Sequence, residues 1–421
     1  MIARLKAVLD RFGLNTRLSH DAIRVYLFQF LGIAASFVLS ILIARILGPA
    51  EKGRYDLFLL LNSLMISFGV AGVPNGLLYY MTNEKKRLGE VHGTGLATTG
   101  FAWLILFIIG FVWIAKFTAL LNGLPEWCIW LSLFIAPALL YRQIWINLMT
   151  GANEAVQMHR FQFYIILLNL FGGMYLVWAG ELDFSHTIWL TAGIQVFGAI
   201  MMVAVLLMKD AKLSIDLSLA RKSLSYGTFI FIASLANILH FKVDQIMING
   251  WLGTKSLGMY AVGTKIAEML FIIDTGLTST ATYKISSSSV QESYRLAVKL
   301  FRVQFALSGL SGLFLALIAY PLISAVYGEA YREAALPLIY LIPGIVFWSS
   351  SKILSIMLNY KLGMAKFVMV FSMIGGLVNV VLNYVFIVIF DLNISGAALA
   401  SSISYAIVAL ITFLKVYQLR K

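Results

Sequence analysis

The stretch V-L-S-I-L-I-A-R-I-L-G-P-A-E-K-G-R-Y at 38–55 returns in altered form as V-D-Q-I-M-I-N-G-W-L-G-T-K-S-L-G-M-Y at 243–260. Both copies contain L-G-x4-G-x-Y: Leu47, Gly48, Gly53 and Tyr55, then Leu252, Gly253, Gly258 and Tyr260. The offset is 205 residues in a chain of 421, close to half its length. Val38, Ile41 and Ile43 meet identical Val243, Ile246 and Ile248 at the same offset, and Pro137 meets Pro343 at 206. Self-similarity at half the chain length marks an internal repeat. Glycine at the two turns permits a tight bend and a close helix approach.

What surrounds the repeat is apolar. Of all residues 60% are hydrophobic and only 12% are charged, against about 25% charged in soluble domains. Mean hydropathy is +0.87. Disorder, a disulfide scaffold and nearly all soluble folds are excluded, and an all-α polytopic membrane protein is left. Runs long enough to cross ~30 Å of hydrocarbon fall at about 22–46, 55–81, 93–116, 127–150, 162–180, 186–208, 225–249, 257–283, 299–321, 335–358, 367–390 and 394–416. These are twelve transmembrane helices. Six spans separate the repeat copies, so both copies sit on one face and the repeat is parallel, as in two-lobed transporters. The expected architecture is two pseudo-symmetric six-helix bundles. Residues 22–208 form the N-lobe and 225–416 the C-lobe. A cytoplasmic linker at 209–224 joins them, and a short tail follows at 417–421. Residues 1–21 lack a continuous apolar core and read as a cytoplasmic interfacial segment; a basic tail is the alternative. Pro74, Pro137 and Pro343 fall in spans two, four and ten, where they favour kinks.

The net charge of +13 is mostly topology. With the first terminus inside, 21 Lys and Arg residues fall in cytoplasmic segments and 5 outside, Lys52 and Arg54 among the latter. That bias places both termini in the cytoplasm and removes nucleic acid as a partner. Cys128 is the only cysteine, which excludes an internal disulfide, and the five histidines show no metal-ligand spacing. No metal site and no cofactor are expected.

Six basic residues remain in or beside the spans: Arg24, Arg45, Arg142, Lys242, Lys265 and Lys352. A charge at the bilayer centre costs about 3 kcal/mol on the gentlest scale, so these groups snorkel, pair or line water. Arg24 and Arg45 stand 21 positions apart, within about 60° of one helical face. Arg142 lies deep in span four, and Lys352 shares a polar stripe with Ser349 and Ser355. Span seven carries Asn237, His240 and Asp244 along one side. Lys265 and Glu268 stand at i, i+3, where they can pair, and Asp274 lies further in. Arg24, Arg45, Arg142, His240, Lys265 and Lys352 are the candidate substrate-cavity residues. Asp244, Glu268 and Asp274 are candidates for coupling to protons or sodium. Six bases against three acids suit an anionic substrate such as a pyrophosphate-linked lipid.

The repeat segments resemble a known family. A-R-I-L-G-P-A-E-K-G-R-Y at 44–55 and D-Q-I-M-I-N-G-W-L-G-T-K-S-L-G-M-Y at 244–260 are similar to the first- and seventh-helix signatures of bacterial polysaccharide flippases of the Wzx type. That group handles O-antigen and other oligosaccharides and belongs to the multidrug, oligosaccharidyl-lipid and polysaccharide exporter superfamily. Y-G-E-A-Y-R-E-A-A-L-P-L at 327–338 and I-S-G-A-A-L-A-S-S-I-S at 394–404 resemble the segments entering helices ten and twelve.

The resemblance implies twelve helices in two lobes in a bacterial inner membrane. It implies movement of an undecaprenyl-pyrophosphate-linked oligosaccharide to the outer leaflet, for lipopolysaccharide or related polysaccharide biosynthesis. A polysaccharide polymerase and a chain-length regulator would act downstream. The path would be a cationic cavity working by alternating access. Members specific for the peptidoglycan precursor carry two further helices, which this length does not accommodate.

A cation-coupled multidrug exporter of the same superfamily is the alternative; its cavity should favour acidic and apolar lining. An integral-membrane enzyme would be expected to carry a long outer loop with clustered reactive residues. Here the longest is about ten residues, and no nucleophile, base or metal constellation is present.

Overall fold

The computed structural model describes residues 17–209 and 212–418, so residues 1–16 of the expected interfacial segment lie outside the described residues. Within them the chain is helical and contains no strand. The helices are α1 (Arg17–Val70), α2 (Val73–Asn83), α3 (Leu88–Leu120), α4 (Glu126–Gly151), α5 (Ala155–Trp178), α6 (Phe184–Lys209), α7 (Leu217–Phe241), α8 (Val243–Ala267), α9 (Phe271–Ser287), α10 (Val290–Tyr327), α11 (Ala335–Ile356), α12 (Ala365–Tyr384) and α13 (Asn393–Gln418). Among the described residues, ten stretches are long and apolar enough to cross a membrane. Two of them are much longer than one crossing needs. Ile23–Val70 has 48 residues and Leu217–Leu270 has 54. At 1.5 Å per residue each reaches at least about 72 Å, more than twice a ~30 Å hydrocarbon layer.

Each long stretch is broken by the first glycine of a repeat copy. Gly48 has φ 72° and ψ 173°, and Gly253 has φ 79° and ψ 177°. That region is essentially closed to residues with a Cβ. The repeat is therefore written in backbone as well as in sequence. The long stretches also break where no repeat signal predicts it. Ala71 and Gly72 take positive φ and end α1, so Pro74 sits in the first turn of a new helix rather than kinking an old one. A proline there costs nothing, because first-turn N–H groups have no partner within the helix anyway. Lys242 alone separates α7 from α8.

The chain forms two compact units. Among the described residues, one holds 17–47, 61–114, 125–209 and 212–231; the other holds 48–60, 115–124 and 232–418. In the first unit Leu77, Ile144, Trp145 and Leu148 form a core that is almost fully buried. Beside them the Tyr141 hydroxyl meets His92 Nε2 at 2.7 Å. The start of α7 packs on α2 without intervening side chains. A Cβ at Gly72 would collide with the Gly227 carbonyl, and one at Gly76 with Ser223. Tyr79 stacks on Tyr226 at 4.5 Å.

In the second unit α11 is the most enclosed helix, with 72% of its apolar window buried. It lies against α13 through small residues. The Gly344 N–H donates to Ser402 Oγ at 2.7 Å. Ala397, Ala398, Ala400 and Ser401 are fully buried on the same helix. Small residues let membrane helices approach closely where lipid supplies no hydrophobic drive. The outward faces are apolar: Phe101, Phe111, Val112 and Leu317 are all more than 60% exposed, as expected of side chains that face lipid.

The start of α7 is fixed by charge. Asp216 Oδ1 accepts the Leu219 N–H at 3.0 Å, and Lys86 donates to Asp216 Oδ2 at 3.3 Å and to Glu90 at 2.6 Å. The Leu219 N–H, then Lys86, hold the Asp216 carboxyl below its ordinary range. Hydrogen bonds to Glu90 and Asp216 push Lys86 up. A depressed carboxyl stabilises the fold above its unfolded pKa and loses that contribution as pH falls through the folded value. Asp216→Ala should therefore lower the Tm of detergent-purified protein at pH 7, and the gap from the parent should begin to narrow below about pH 4. A gap as wide at pH 3 as at pH 7 would show that the carboxylate does not act as this cap.

Candidate functional site

The broken helices bring buried charges together in the second unit. Lys52 is only 4% exposed, although its place in the sequence reads as an outer loop. It pairs with Asp56 one turn on and lies 5.7 Å over the Tyr55 ring. Lys52, Asp56 and Glu268 are the charges that bear on Lys265. Glu268 in turn feels Lys242 and Asp244. The cluster holds three bases (Lys52, Lys242, Lys265) and three acids (Asp56, Asp244, Glu268), so it is balanced rather than cationic.

Asp244 is the acid of this cluster with a buried hydroxyl partner. It is 4% exposed at the start of α8. Its Oδ2 accepts the Tyr260 hydroxyl at 2.5 Å and its Oδ1 accepts the Gln245 N–H at 2.8 Å. Tyr260 is the closing tyrosine of the second repeat copy and is fully buried. The break at Gly253 folds α8 so that residues 16 apart meet. A narrow cleft opens here, with Asp244, Tyr260, Thr264, Glu268, Phe271 and Tyr405 on its walls. Carboxylates, hydroxyls and aromatic rings of this kind can hold a proton or a small cation.

The other expected site residues are distributed as follows. His240 ends α7, fully buried. Its Nε2 donates to the Ser372 carbonyl at 2.9 Å, and its Nδ1 faces the Ser404 hydroxyl at 3.3 Å. Both ring nitrogens are engaged by the helices behind it, and Trp348 lies 4.8 Å away. Lys352 stands on α11 over the Phe271 ring at 4.8 Å, which places it beside the Asp244 cleft wall. Arg24 is exposed and lies 3.6 Å from Asp21. Arg45 is exposed, three residues before the Gly48 break. Arg142 lies in α4, in a small, mainly apolar niche whose other polar side chains are Gln162 and Gln195. No acid pairs with Arg142 among the described residues. The side chain of Asp274 lies outside the described residues.

The structure thus joins Asp244, Glu268 and Lys265 with Lys352 close by, and it gives His240 other partners. Arg24, Arg45 and Arg142 belong to the first unit. Sequence reasoning missed Lys52, Asp56 and Tyr405. Lys52 and Asp56 stand at i, i+4, a pairing signal that the expected loop had hidden.

Comparison with known proteins fits this geometry. A family model described as polysaccharide biosynthesis protein matches residues 20–290, and one described as MatE matches residues 229–385. Among solved structures, the chain is similar to a multidrug resistance MATE family transporter of the MOP superfamily in an inward-facing conformation. Identity is 13%, coverage 92% of this chain and 94% of that one, and the TM-score 0.74. It is also similar to the lipid II flippase MurJ in an inward closed conformation, at 15% identity, covering 94% of this chain and 87% of that one, with a TM-score of 0.74. A MOP superfamily transporter from Pyrococcus furiosus, whose binding pocket is described as reversed in polarity, matches at 14% identity over 95% of both chains, with a TM-score of 0.63. At these identities the likeness carries the fold alone. Curated protein sequences contain no match. The family model covers well over half of the chain, so the protein belongs to the polysaccharide biosynthesis protein family.

Proposed function

We propose that this protein moves an undecaprenyl-pyrophosphate-linked oligosaccharide from the cytoplasmic to the outer leaflet of a bacterial inner membrane, as a Wzx-type flippase. The observation that carries this reading is the family match over residues 20–290. The architecture behind it is twelve helices in two six-helix bundles, 22–208 and 225–416, with both termini in the cytoplasm. The two long stretches broken at Gly48 and Gly253 each supply two of the twelve. The cycle exchanges inward- and outward-facing states. Basic groups hold the pyrophosphate, and Arg142 and Lys352, well inside spans four and ten, are the first to test. A polysaccharide polymerase and a chain-length regulator would take the product on. The step is transport rather than catalysis and needs no cofactor.

The test is flipping of a fluorescent lipid-linked oligosaccharide in proteoliposomes. Losing a hydrogen bond to a charged group costs about 1.5–3 kcal/mol, so Arg142→Gln and Lys352→Gln should each slow flipping at low substrate by about tenfold or more. Unaltered flipping in both would take them out of the substrate path.

A second reading has its own support. The MatE match at 229–385 covers Lys242, Asp244, Lys265 and Glu268 of the cluster, and the two acids there suit a cation-coupled exporter of drugs. Drug resistance conferred by expression, with normal surface polysaccharide in a deletion strain, would favour that reading.

A further inference from the structure

The first turns of α10 and the last turn of α13 enclose a cleft of about 800 Å³ that shares no residue with the Asp244 cleft. Arg295, Lys299 and Arg302 line it. Their spacing of four and three residues sets them in one row on α10, about 10 Å long. Phe301 and Phe413 pack in its wall at 5.6 Å, and Tyr417 stacks beyond Phe413 at 6.3 Å.

Two observations define what fits. First, none of the three cations meets a carboxylate among the described residues. The acid nearest in sequence, Glu292, is held in the helix cap, where it accepts from the Ser289 N–H and hydroxyl. This is unlike Lys52, Lys86 and Lys209, each of which has an acidic partner. Second, the broad face that carries the cations continues along α10 as Val303, Leu307, Leu310 and Phe314, all exposed. Spacings of four, three and four residues keep these on that face. Cations give way to an apolar stripe along one helix face, complementary to a molecule with an anionic head and a hydrocarbon tail.

We propose that this cleft binds an anionic phospholipid of the membrane, with its phosphates on Arg295, Lys299 and Arg302 and its acyl chains along Val303–Phe314. Basic pockets between membrane helices hold such headgroups. A row about 10 Å long accommodates a headgroup with two phosphates, as in cardiolipin. The orientation proposed above decides only which leaflet supplies the lipid, here the cytoplasmic one. The site is separate from the transport path, so its failure leaves the flippase reading standing.

The experiment is titration of delipidated full-length protein with cardiolipin, phosphatidylglycerol and phosphatidylcholine, read by native mass spectrometry. Cardiolipin should bind most tightly and phosphatidylcholine least. Each cation near the surface contributes about fivefold. Lys299→Gln alone should therefore raise the apparent Kd about fivefold, and the triple change Arg295→Gln, Lys299→Gln, Arg302→Gln on the order of a hundredfold. Lys366→Gln, outside the cleft, should leave it unchanged. Should the triple variant fail to fold, the single change still decides. Equal affinity for cardiolipin and phosphatidylcholine, or an unchanged Kd in Lys299→Gln, would overturn the proposal. So would displacement of cardiolipin by equimolar undecaprenyl pyrophosphate, which would make the cleft a port for the transported lipid.

Discussion

Gly258→Ala should destabilise the protein by about 2 kcal/mol or more, while Gly250→Ala, eight residues earlier in the same helix, should be neutral or mildly stabilising. The second glycines of the two repeat copies pack against each other. A Cβ on Gly258 would strike the Pro49 carbonyl and come within 2.8 Å of the Gly53 nitrogen; a Cβ on Gly53 would strike the Thr254 carbonyl. Every atom in the way is backbone, so no side chain can swing aside. The helices must part, and overpacking of this kind costs about 1–3 kcal/mol. Gly250 has nothing within 4 Å, and alanine there gains about 0.5–1 kcal/mol of helix propensity.

Thermal unfolding in one detergent measures both. Gly53→Ala should cost about as much as Gly258→Ala, and the double change should cost less than the sum, because either substitution alone parts the same contact. If Gly258→Ala behaves like Gly250→Ala, the close approach does not exist.

The repeat was legible because its glycines answer two physical demands that sequence records. Gly48 and Gly253 are needed for their backbone conformation, since nothing lies within 4 Å of either. Gly53 and Gly258 are needed because there is no room for a Cβ. That the second pair meets itself was not legible, because a spacing says nothing about the partner across a helix contact. The break at Lys242 carries neither glycine nor proline, so no local preference marks it. The break at Ala71 stands beside Gly72 and Pro74; there the local signal exists, but a proline at a helix start and one at a kink look alike in sequence. The surplus of bases counted along the sequence is spread over both units: Arg24, Arg45 and Arg142 lie in the first, whereas the cluster around Asp244 sets Lys52, Lys242 and Lys265 against Asp56, Asp244 and Glu268. The side chains that neutralise a buried charge come from different helices, and sequence shows only the pairs one turn apart.

That balance makes Asp244 the residue whose replacement should change function most. Asp244→Asn keeps the side-chain shape and an acceptor for the Tyr260 hydroxyl, but it removes one of three acids facing three bases. Asp244→Ala removes the acceptor as well and leaves a fully buried tyrosine hydroxyl with one partner fewer, a loss of about 1–3 kcal/mol. The two variants therefore separate stability from coupling. Asp244→Asn should unfold within a few degrees of the parent, whereas Asp244→Ala should unfold measurably lower.

In proteoliposomes under an imposed proton or sodium gradient, the parent should flip substrate faster than without one. Asp244→Asn should run at a single rate in both conditions. A carboxylate that takes up and releases a cation during the cycle would let this cluster sense a gradient, and an amide can do neither at neutral pH. If Asp244→Asn keeps the full gradient response, coupling lies elsewhere and Glu268, which lines the same cleft, is the next residue to change. If the parent shows no gradient response at all, the cluster is structural, and Asp244→Ala should then lower stability without altering the flipping rate of the protein that remains folded.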